Sequence, residues 1–597
     1  MRISEIKKSS KVAAVDFVPA WGDLNGNIQR LVTAAEKVAA QGVDYAVFPE
    51  TAVSGYLFSD TAELAPYLDT IPGKTTAAIL PVLAQTGMYM SVGIAERDSE
   101  TGLAYNSAVL MGPEGIIGKY RKIGLNSQDQ KVFAPGNTGV KTFDTPIGRI
   151  ALLICYDDTY WQYVRLAALE GAQIIGWHSV SDRMMPDATA AEMLGDHSTV
   201  AHVQHMSALN GVWVVCATRS GIETNPITKG QLYYNGGSSV WSPSGHKVAQ
   251  SPVLSPLELE PGLNGIYSAM IDLDEADKQR NTLLAKRRPD LYSPTLAFHR
   301  SPTDINATST IVQTTFIAAQ WEKSVSKLDS IQVGENELLV LPELSALPYT
   351  DDPNIILSHA ETRGGVFEQT LCKAAYEGKG YIVGSYPEID TDKLYHTVVL
   401  AGPAGDILAR YRVTHLNERD SGWAMAGHAV SVTATPIGRI ALAAAHELEV
   451  PELAGLYSAL RADILAAPAG IPSDLKVEID SHLYSVENPP TGRADFIPYA
   501  IATLNQLWVI CGGRNERDST SAAIYGPEPV VLTPTLTAQR GAEDVRLQTQ
   551  VPAPFTWINQ ERLISGQQAI WFTPLTLVVI FCFPVVIHLV TTGILSY

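Results

Sequence analysis

Apolar residues along this chain fall into short blocks, and the spacing within the blocks switches between two periods. "KVAAVDFVPA" (11–20) and "DYAVFPE" (44–50) are compact apolar runs of strand length. Between them, "NIQRLVTAAEKVAAQG" (27–42) places its apolar residues three and four apart, which predicts an amphipathic helix. Further strand-like runs follow at "MYMSVGIAE" (88–96), "NSAVLMGPEG" (106–115), "RIALLICYD" (149–157), "AQIIGWHS" (172–179) and "GVWVVCATR" (211–219). "YWQYVRLAALEG" (160–171) predicts a helix that stops at Gly171. Strands alternating with helices give an α/β class, and a hairpin-like join at "GPEG" (112–115) makes the sheet mixed.

The pattern is then written a second time. "TPIGRIALLICYDD" (145–158) returns as "TPIGRIALAAAHEL" (435–448), and "DYAVFPETAVSGY" (44–56) as "ELLVLPELSALPY" (337–349). "AYNSAVLMGPEGIIGKYRKIGL" (104–125) pairs with "LYHTVVLAGPAGDILARYRVTHL" (394–416), and "NGVWVVCATRS" (210–220) with "NQLWVICGGRN" (505–515). So long a period excludes a solenoid and predicts two tandem domains of like fold, 1–298 and 303–545, with a linker over 546–567. In the copy Glu343 answers Glu50, but Val413 stands at the place of Lys122 and Ala445 at that of Cys155.

The last apolar block breaks the pattern. From Ala569 to Leu595 no Asp, Glu, Lys or Arg occurs, and Trp571 and Tyr597 bracket the run. That length and those flanking aromatics predict a transmembrane helix over 569–595, a single-pass C-terminal anchor. Arg562 on its N-terminal side, with nothing basic after it, places the preceding domains in the cytoplasm. The N-terminus has no apolar core of signal-peptide length.

Composition narrows the partners. Acidic residues outnumber basic ones 62 to 43, for a net charge of -19 over 597 residues, and no basic run offers a nucleic-acid footprint. The five cysteines (155, 216, 372, 511 and 582) are scattered and odd in number, as free thiols in a reducing compartment would be. Neither CxxC nor HExxH spacing occurs, so the sequence gives metal chemistry no support.

Three positions carry candidate chemistry. Cys155 follows an apolar strand and precedes a helical pattern, where a partly exposed thiol faces helix N-terminal amides that lower its pKa. A lone cysteine is also commonly a small buried hydrophobe. Glu50 follows a strand directly, where a carboxylate can be held as a general base. Lys122 lies among the cationic side chains of "KYRKIGL" (119–125).

Together, the Glu of "FPE", the Lys of "KYRK" and the Cys of "GRIALLICYD" resemble the nitrilase superfamily of carbon-nitrogen hydrolases. "FAPG" (133–136), "YNGGSSVWSPSG" (234–245) and "RRPDLY" (287–292) extend the likeness over residues 11–295. The resemblance implies two tandem αββα sandwiches, the second degenerate, and a catalytic set of Glu50, Lys122 and Cys155. It implies that Glu50 takes the thiol proton and that Cys155 attacks the carbonyl or nitrile carbon. Lys122 and the backbone N–H of Tyr156 would hold the oxyanion, and no cofactor or metal is called for. Two departures stand out. Asp129 replaces the glutamate that usually braces the lysine, and "YWQ" (160–162) replaces a second "FPE". Residues 180–202 fall where such enzymes place substrate-contacting loops.

The "CYD" form resembles the amidase and carbamoylase branches. The expected function is therefore a membrane-anchored hydrolase that cleaves a small linear non-peptide amide, with nitriles as the alternative, to a carboxylate and ammonia or amine. Members of the family pair into dimers, which implies that the pseudoenzyme copy completes an intrachain pseudo-dimer. Two other functions remain open. One is a thioester-based N-acyltransferase; the other is a non-catalytic scaffold subunit docked on a membrane-protein partner through the last helix.

Overall fold

The computed structural model describes residues 7–180, 182–183, 203–252, 258–296, 312–322, 326–469, 493–515, 522–527, 538–541, 543–551, 560, 563, 569–582 and 585–589. The chain divides into two compact units. One comprises Met1–Ala285 with Ile570–Pro574, the other Lys286–Ala569 with Leu575–Tyr597.

The first unit is built on two six-stranded mixed sheets. One runs in the order Gly262–Asp272, Ser9–Val18, Tyr45–Val47, Tyr89–Arg97, Ala104–Gly112 and Gly115–Arg121. The other runs Lys247–Gln250, Ser239–Trp241, Trp213–Ala217, Ile174–His178, Gly148–Ile154 and Thr142–Thr145. Central strands are parallel and outer ones antiparallel, including the hairpin through "GPEG". Strands Tyr89–Arg97, Ala104–Gly112, Gly148–Ile154 and Ile174–His178 are buried at all but one position or throughout, which is why they read as continuous apolar runs instead of alternating ones.

Helix Leu24–Ala39 covers the outer face of the first sheet. Its buried stripe (Leu24, Ile28, Leu31, Ala35 and Val38) joins Val15, Phe48, Leu83 and Val92 in one core. Asp23 caps the helix by accepting from the N–H of Gly26. Between the sheets runs a short polar seam. Ser91 Oγ lies 2.7 Å from the Tyr45 hydroxyl and 2.9 Å from His178 Nε2. Burial pushes His178 down to about 4, so the imidazole is neutral there.

The second unit repeats this plan. Its sheets run Ile407–Arg412, Lys393–Ala401, Tyr381–Asp390, Glu337–Val340, Val312–Ala318, Val545–Val551 and Val432–Thr435, Gly438–Leu442, Ile464–Ala466, Trp508–Cys511, Ala522–Tyr525, Ala538–Gly541. The expected α/β doubling is therefore present.

The expected transmembrane helix is not. Among the described residues, no helix is long and apolar enough to cross a membrane. Residues 569–576 form two short 3₁₀ turns, and Val578–Cys582 pairs antiparallel with Val585–Leu589. Hydropathy alone missed this because the run is dense in β-branched residues, which suit a pleated strand and lose side-chain freedom in a helix. Pro574 and Pro584 also lack the N–H a helix interior needs. Trp571, expected at a membrane interface, packs against Gly139, while Phe572 is fully buried near Tyr163. Tyr597 lies outside the described residues. The single-pass anchor, the cytoplasmic placement drawn from it and the membrane-protein partner lose their basis together.

Gly93 marks the tightest approach near Glu50. A Cβ there would stand 2.4 Å from the Glu50 Cα and 2.7 Å from the Pro49 carbonyl oxygen, both backbone atoms that cannot rotate away. Gly93→Ala is expected to cost about 1–3 kcal/mol of stability, read as a lower midpoint in thermal or denaturant unfolding.

Candidate active site

Glu50 stands three residues past the Tyr45–Val47 strand, on a segment held from below. Thr51 adopts φ 45°, a left-handed conformation costly for a β-branched residue, so the surroundings must impose it. The Arg219 guanidinium does so, donating to the Glu50 carbonyl and, at 2.9 Å, to Thr51 Oγ1. Arg219 pairs with Glu223 at 2.8 Å, and Glu223 accepts the N–H groups of Tyr56 and Leu57 at 2.6 and 2.8 Å. A buried ion pair thus fixes both ends of the loop that carries Glu50.

Lys122 leaves the Gly115–Arg121 strand and enters the same space. Its Nζ lies 2.8 Å from Glu50 Oε1 and 2.7 Å from Asp129 Oδ2, and all three side chains are fully buried. Asp129, one methylene shorter than glutamate, reaches the lysine because it opens the short helical turn Asp129–Val132. It is steadied there by the Tyr56 hydroxyl at 3.1 Å and the N–H of Asn126 at 3.2 Å. Asn106 Nδ2 donates to Glu50 Oε1 at 2.5 Å. Glu50 Oε2, by contrast, has no hydrogen-bond partner among the described residues.

The electrostatics follow from that packing. Burial lifts the Glu50 carboxyl above its ordinary range; Lys122 pulls it down and Asp129 pushes it up again. Burial also works against the Lys122 ammonium, yet Asp129 and Glu50 hold it well above the usual lysine value, so it stays charged.

Cys155 ends the Gly148–Ile154 strand at φ 42° and opens a 3₁₀ turn, Cys155–Thr159, with Tyr156 as its second residue. The helix expected over 160–171 follows this turn, as Trp161–Leu169. The turn is tied down by Asp157, which accepts from the N–H groups of Ile154 at 2.9 Å and Gly124 at 2.7 Å and from the Tyr120 hydroxyl at 2.8 Å. Trp177 Nε1 donates to the Cys155 carbonyl at 3.2 Å. The sulfur is not the partly exposed, acidified thiol expected from sequence. Cys155 is 4% exposed, and burial and the Glu50 charge push its thiol well above the ordinary value, opposed by Lys122 and the Val180 N–H. The resting form is the neutral thiol.

Glu50, Lys122, Asp129 and Cys155 therefore converge, with Tyr156 beside the sulfur-bearing residue. Asn106, Asp157 and Arg219 were missed from sequence. The repeat itself held a signal for two of them, since an acid stands at both 157 and 447 and an arginine at both 219 and 514. Of residues 180–202, the expected substrate loops, 181 and 184–202 lie outside the described residues.

In the second unit Glu343 is again buried, with Leu344 at φ 46° and Arg514 on its carbonyl side, and Asp420 occupies the register of Asp129. Val413 and Ala445 supply neither ammonium nor thiol. In their place Arg419 Nη2 lies 3.1 Å from Glu343 Oε1, and His446 Nδ1 lies 3.4 Å from the same oxygen. Glu343, Asp420 and His446 bring three ligand-capable atoms within 4.8 Å of one another. Cys511 is a buried strand residue and Cys372 a half-buried helix residue.

The carbon-nitrogen hydrolase family model matches residues 11–277 and 310–489. The chain is 31% identical over 287 residues to a nitrilase of Pyrococcus abyssi, covering 47% of this chain and 98% of the relative. It is 27% identical over 282 residues to a citrullinase of Francisella tularensis (45% and 91%) and 31% over 160 residues to an omega-amidase of Homo sapiens (25% and 56%). Among solved structures, a carbon-nitrogen hydrolase from Helicobacter pylori G27 aligns over 48% of this chain and 97% of its own, at 20% identity and a TM-score of 0.42.

If Glu50 must be ionised to act, every donor on Oε1 lowers the pH at which activity fails. Asn106→Ala removes one such donor, so the carboxyl pKa rises and the acid limb of kcat/KM moves up in pH. A pH–rate profile with the limb unmoved or moved down contradicts this assignment.

Proposed function

This chain belongs to the carbon-nitrogen hydrolase family, and from that premise we propose that its first unit hydrolyses a small linear amide through a thioester on Cys155. The enzyme class is a hydrolase of carbon–nitrogen bonds other than peptide bonds. The amide preference over nitriles draws on the Tyr156–Asp157 pair after the cysteine and on relatives named as citrullinase and omega-amidase.

One observation carries the reading. Glu50 has one oxygen held by Lys122 and Asn106 and the other without a hydrogen-bond partner among the described residues, as a base awaiting a proton should. Because the thiol rests neutral, its proton passes to Glu50 as the sulfur attacks, instead of being lost beforehand. The C–S bond forms and the carbonyl π pair moves to oxygen, where the Lys122 ammonium and the Tyr156 N–H stabilise it. On collapse the C–N bond breaks and Glu50 returns the proton to the departing ammonia or amine, leaving a thioester. Water then gives its proton to Glu50 and attacks the same carbon. The C–S bond breaks, the sulfur regains its proton, and the carboxylate leaves. One amide and one water yield one carboxylic acid and one ammonia or amine, and the acid ionises to the carboxylate by giving its proton to the nitrogen product or to solvent. The second unit, with Val413 and Ala445, takes no part in this covalent route.

Ammonia release from a panel of short linear amides tests the proposal. Cys155→Ala is expected to lower turnover by at least roughly 10³-fold, the scale of losing a covalent nucleophile. Intact-mass analysis of the wild type with a slow substrate is expected to show an acyl adduct absent from that variant. Adding Ala445→Cys to Cys155→Ala is expected to restore nothing, because the second unit has no ammonium at 413. Ammonia release that survives Cys155→Ala, or returns with Ala445→Cys, overturns the assignment.

A further inference from the structure

The start of the C-terminal apolar run has a use of its own. Residues Ile570–Pro574 belong to the first unit, although the chain on either side of them belongs to the second. Phe572 is fully buried there, its ring 6.1 Å from that of Tyr163. Tyr163 lies 5.4 Å from Tyr160, and Tyr160 lies 6.1 Å from Tyr156. These are contact distances for aromatic rings, so an unbroken row of rings runs from Phe572 to the residue after Cys155. Tyr160 and Tyr163 are themselves buried, and in a close-packed interior a ring lost at one end of such a row lets the next one shift.

Trp571 reaches the segment that holds the lysine. Its indole covers Gly139, where a Cβ would come within 2.9 Å of Cζ3, and Gly139 adopts φ 67°, so glycine is required there twice over. The residues just before it grip the end of the Gly115–Arg121 strand. Thr138 Oγ1 accepts from the Arg121 N–H at 3.1 Å, and the Gly136 N–H donates to the Lys122 carbonyl at 2.8 Å. The second unit contains a matching segment. Tyr292-Ser293-Pro294 repeats the aromatic–hydroxyl–proline order of Phe572-Thr573-Pro574. Each trio lies across two short 3₁₀ turns, Pro289–Leu291 with Ser293–Leu296 and Ala569–Trp571 with Thr573–Thr576. Tyr292 is fully buried and shares an apolar cluster with Val450, which stands at the register of Tyr160. An aromatic residue of like segment therefore packs behind the same elbow in both units.

We propose that Trp571 and Phe572 are positioning residues for the oxyanion site of the first unit. Trp571 braces the segment that fixes the backbone of Lys122, and Phe572 braces the aromatic row that ends at Tyr156. Those are the two residues whose ammonium and N–H receive the oxyanion in the mechanism proposed for Cys155, and the inference rests on that reading. Neither Trp571 nor Phe572 acts on a reacting atom; each acts through the packing between. A displacement of about 1 Å in such donors is enough to cost roughly 10²-fold in rate, so a remote pair of rings can matter to the chemistry.

The test compares Phe572→Ala and Trp571→Ala in the full chain with Ile570→Ala, whose side chain is 68% exposed. Ammonia release per folded enzyme is expected to show kcat at least roughly 10-fold lower in the first two variants and unchanged in the third. Because an oxyanion contact exists only in the transition state, kcat/KM should fall in step with kcat. Phe572→Leu, which keeps apolar bulk, is expected to recover most of the loss. Hydrogen exchange read by mass spectrometry is expected to speed up over 119–139 and 155–163 in both alanine variants and to stay unchanged over 24–39. Unchanged kcat in both, a rise in KM with kcat kept, or unchanged exchange over those two segments overturns the proposal. If the wild type itself releases no ammonia from any amide, the reading of the activity fails separately, and hydrogen exchange alone decides the bracing. Trp571→Ala, at a part-buried position, and Phe572→Leu decide the question if Phe572→Ala fails to fold.

Discussion

The first unit is organised around one buried ammonium held between two carboxylates. Taking Lys122, Glu50 and Asp129 out of water is unfavourable for each alone, and only their mutual contact makes the set tolerable. Removing one member of such a group typically costs about 3–5 kcal/mol, because the charges left behind stay buried. That constraint ties together three segments distant in sequence: the exit of the Tyr45–Val47 strand, the end of the Gly115–Arg121 strand and the turn at Asp129. Asp129 in place of a longer glutamate is accommodated by position, since the turn brings its backbone closer and Tyr56 and Asn126 hold its carboxylate in line.

The same constraint explains what the duplicate could and could not discard. A thiol can become a methyl group at little electrostatic cost, as at Ala445. Two buried carboxylates cannot be left without positive charge. When Val413 replaced the lysine, the neutralisation moved to Arg419 and to His446, whose pKa is carried up to about 9 by Glu343 and Asp420 against the pull of burial. The scaffolding around the elbow persisted for another reason. Glu447 accepts from the N–H groups of Ala444 and Thr414 and from the Tyr411 hydroxyl, just as Asp157 does in the first unit. That bracing closes backbone hydrogen bonds in a buried turn, so the fold requires it whether or not a nucleophile sits there.

This division decides what was legible in the sequence. Strands buried on both faces announced themselves as apolar runs, and the doubled pattern gave the doubled fold. Glu50 and Cys155 stood out as residues at strand exits, whereas Lys122 and Asp129 gained their roles only through the resemblance to the carbon-nitrogen hydrolases. Asn106 could not be singled out, because a polar residue within an apolar strand looks the same whether it bonds a carboxylate or a backbone carbonyl, while Arg219 was marked only by its recurrence as Arg514 in the repeat. The state of Cys155 was misread because helix amides were credited with acidifying it, while the chain interposes a 3₁₀ turn and buries the sulfur. The C-terminal run was misread because charge-free length was weighed and β-branched content was not.

The buried neutral thiol also bears on how the site is kept harmless between turnovers. A resting thiolate would be open to oxidation and to adventitious electrophiles. Here burial disfavours the anion on sulfur and raises the Glu50 carboxyl as well. Charge separates productively only when a carbonyl oxygen is present to take the negative charge beside Lys122. In the proposed mechanism the ammonium serves twice: without substrate it is paired with Glu50, and with substrate it becomes the partner of the oxyanion. On that proposal, selectivity follows from the requirement that base, sulfur and ammonium all be answered by one molecule small enough to enter.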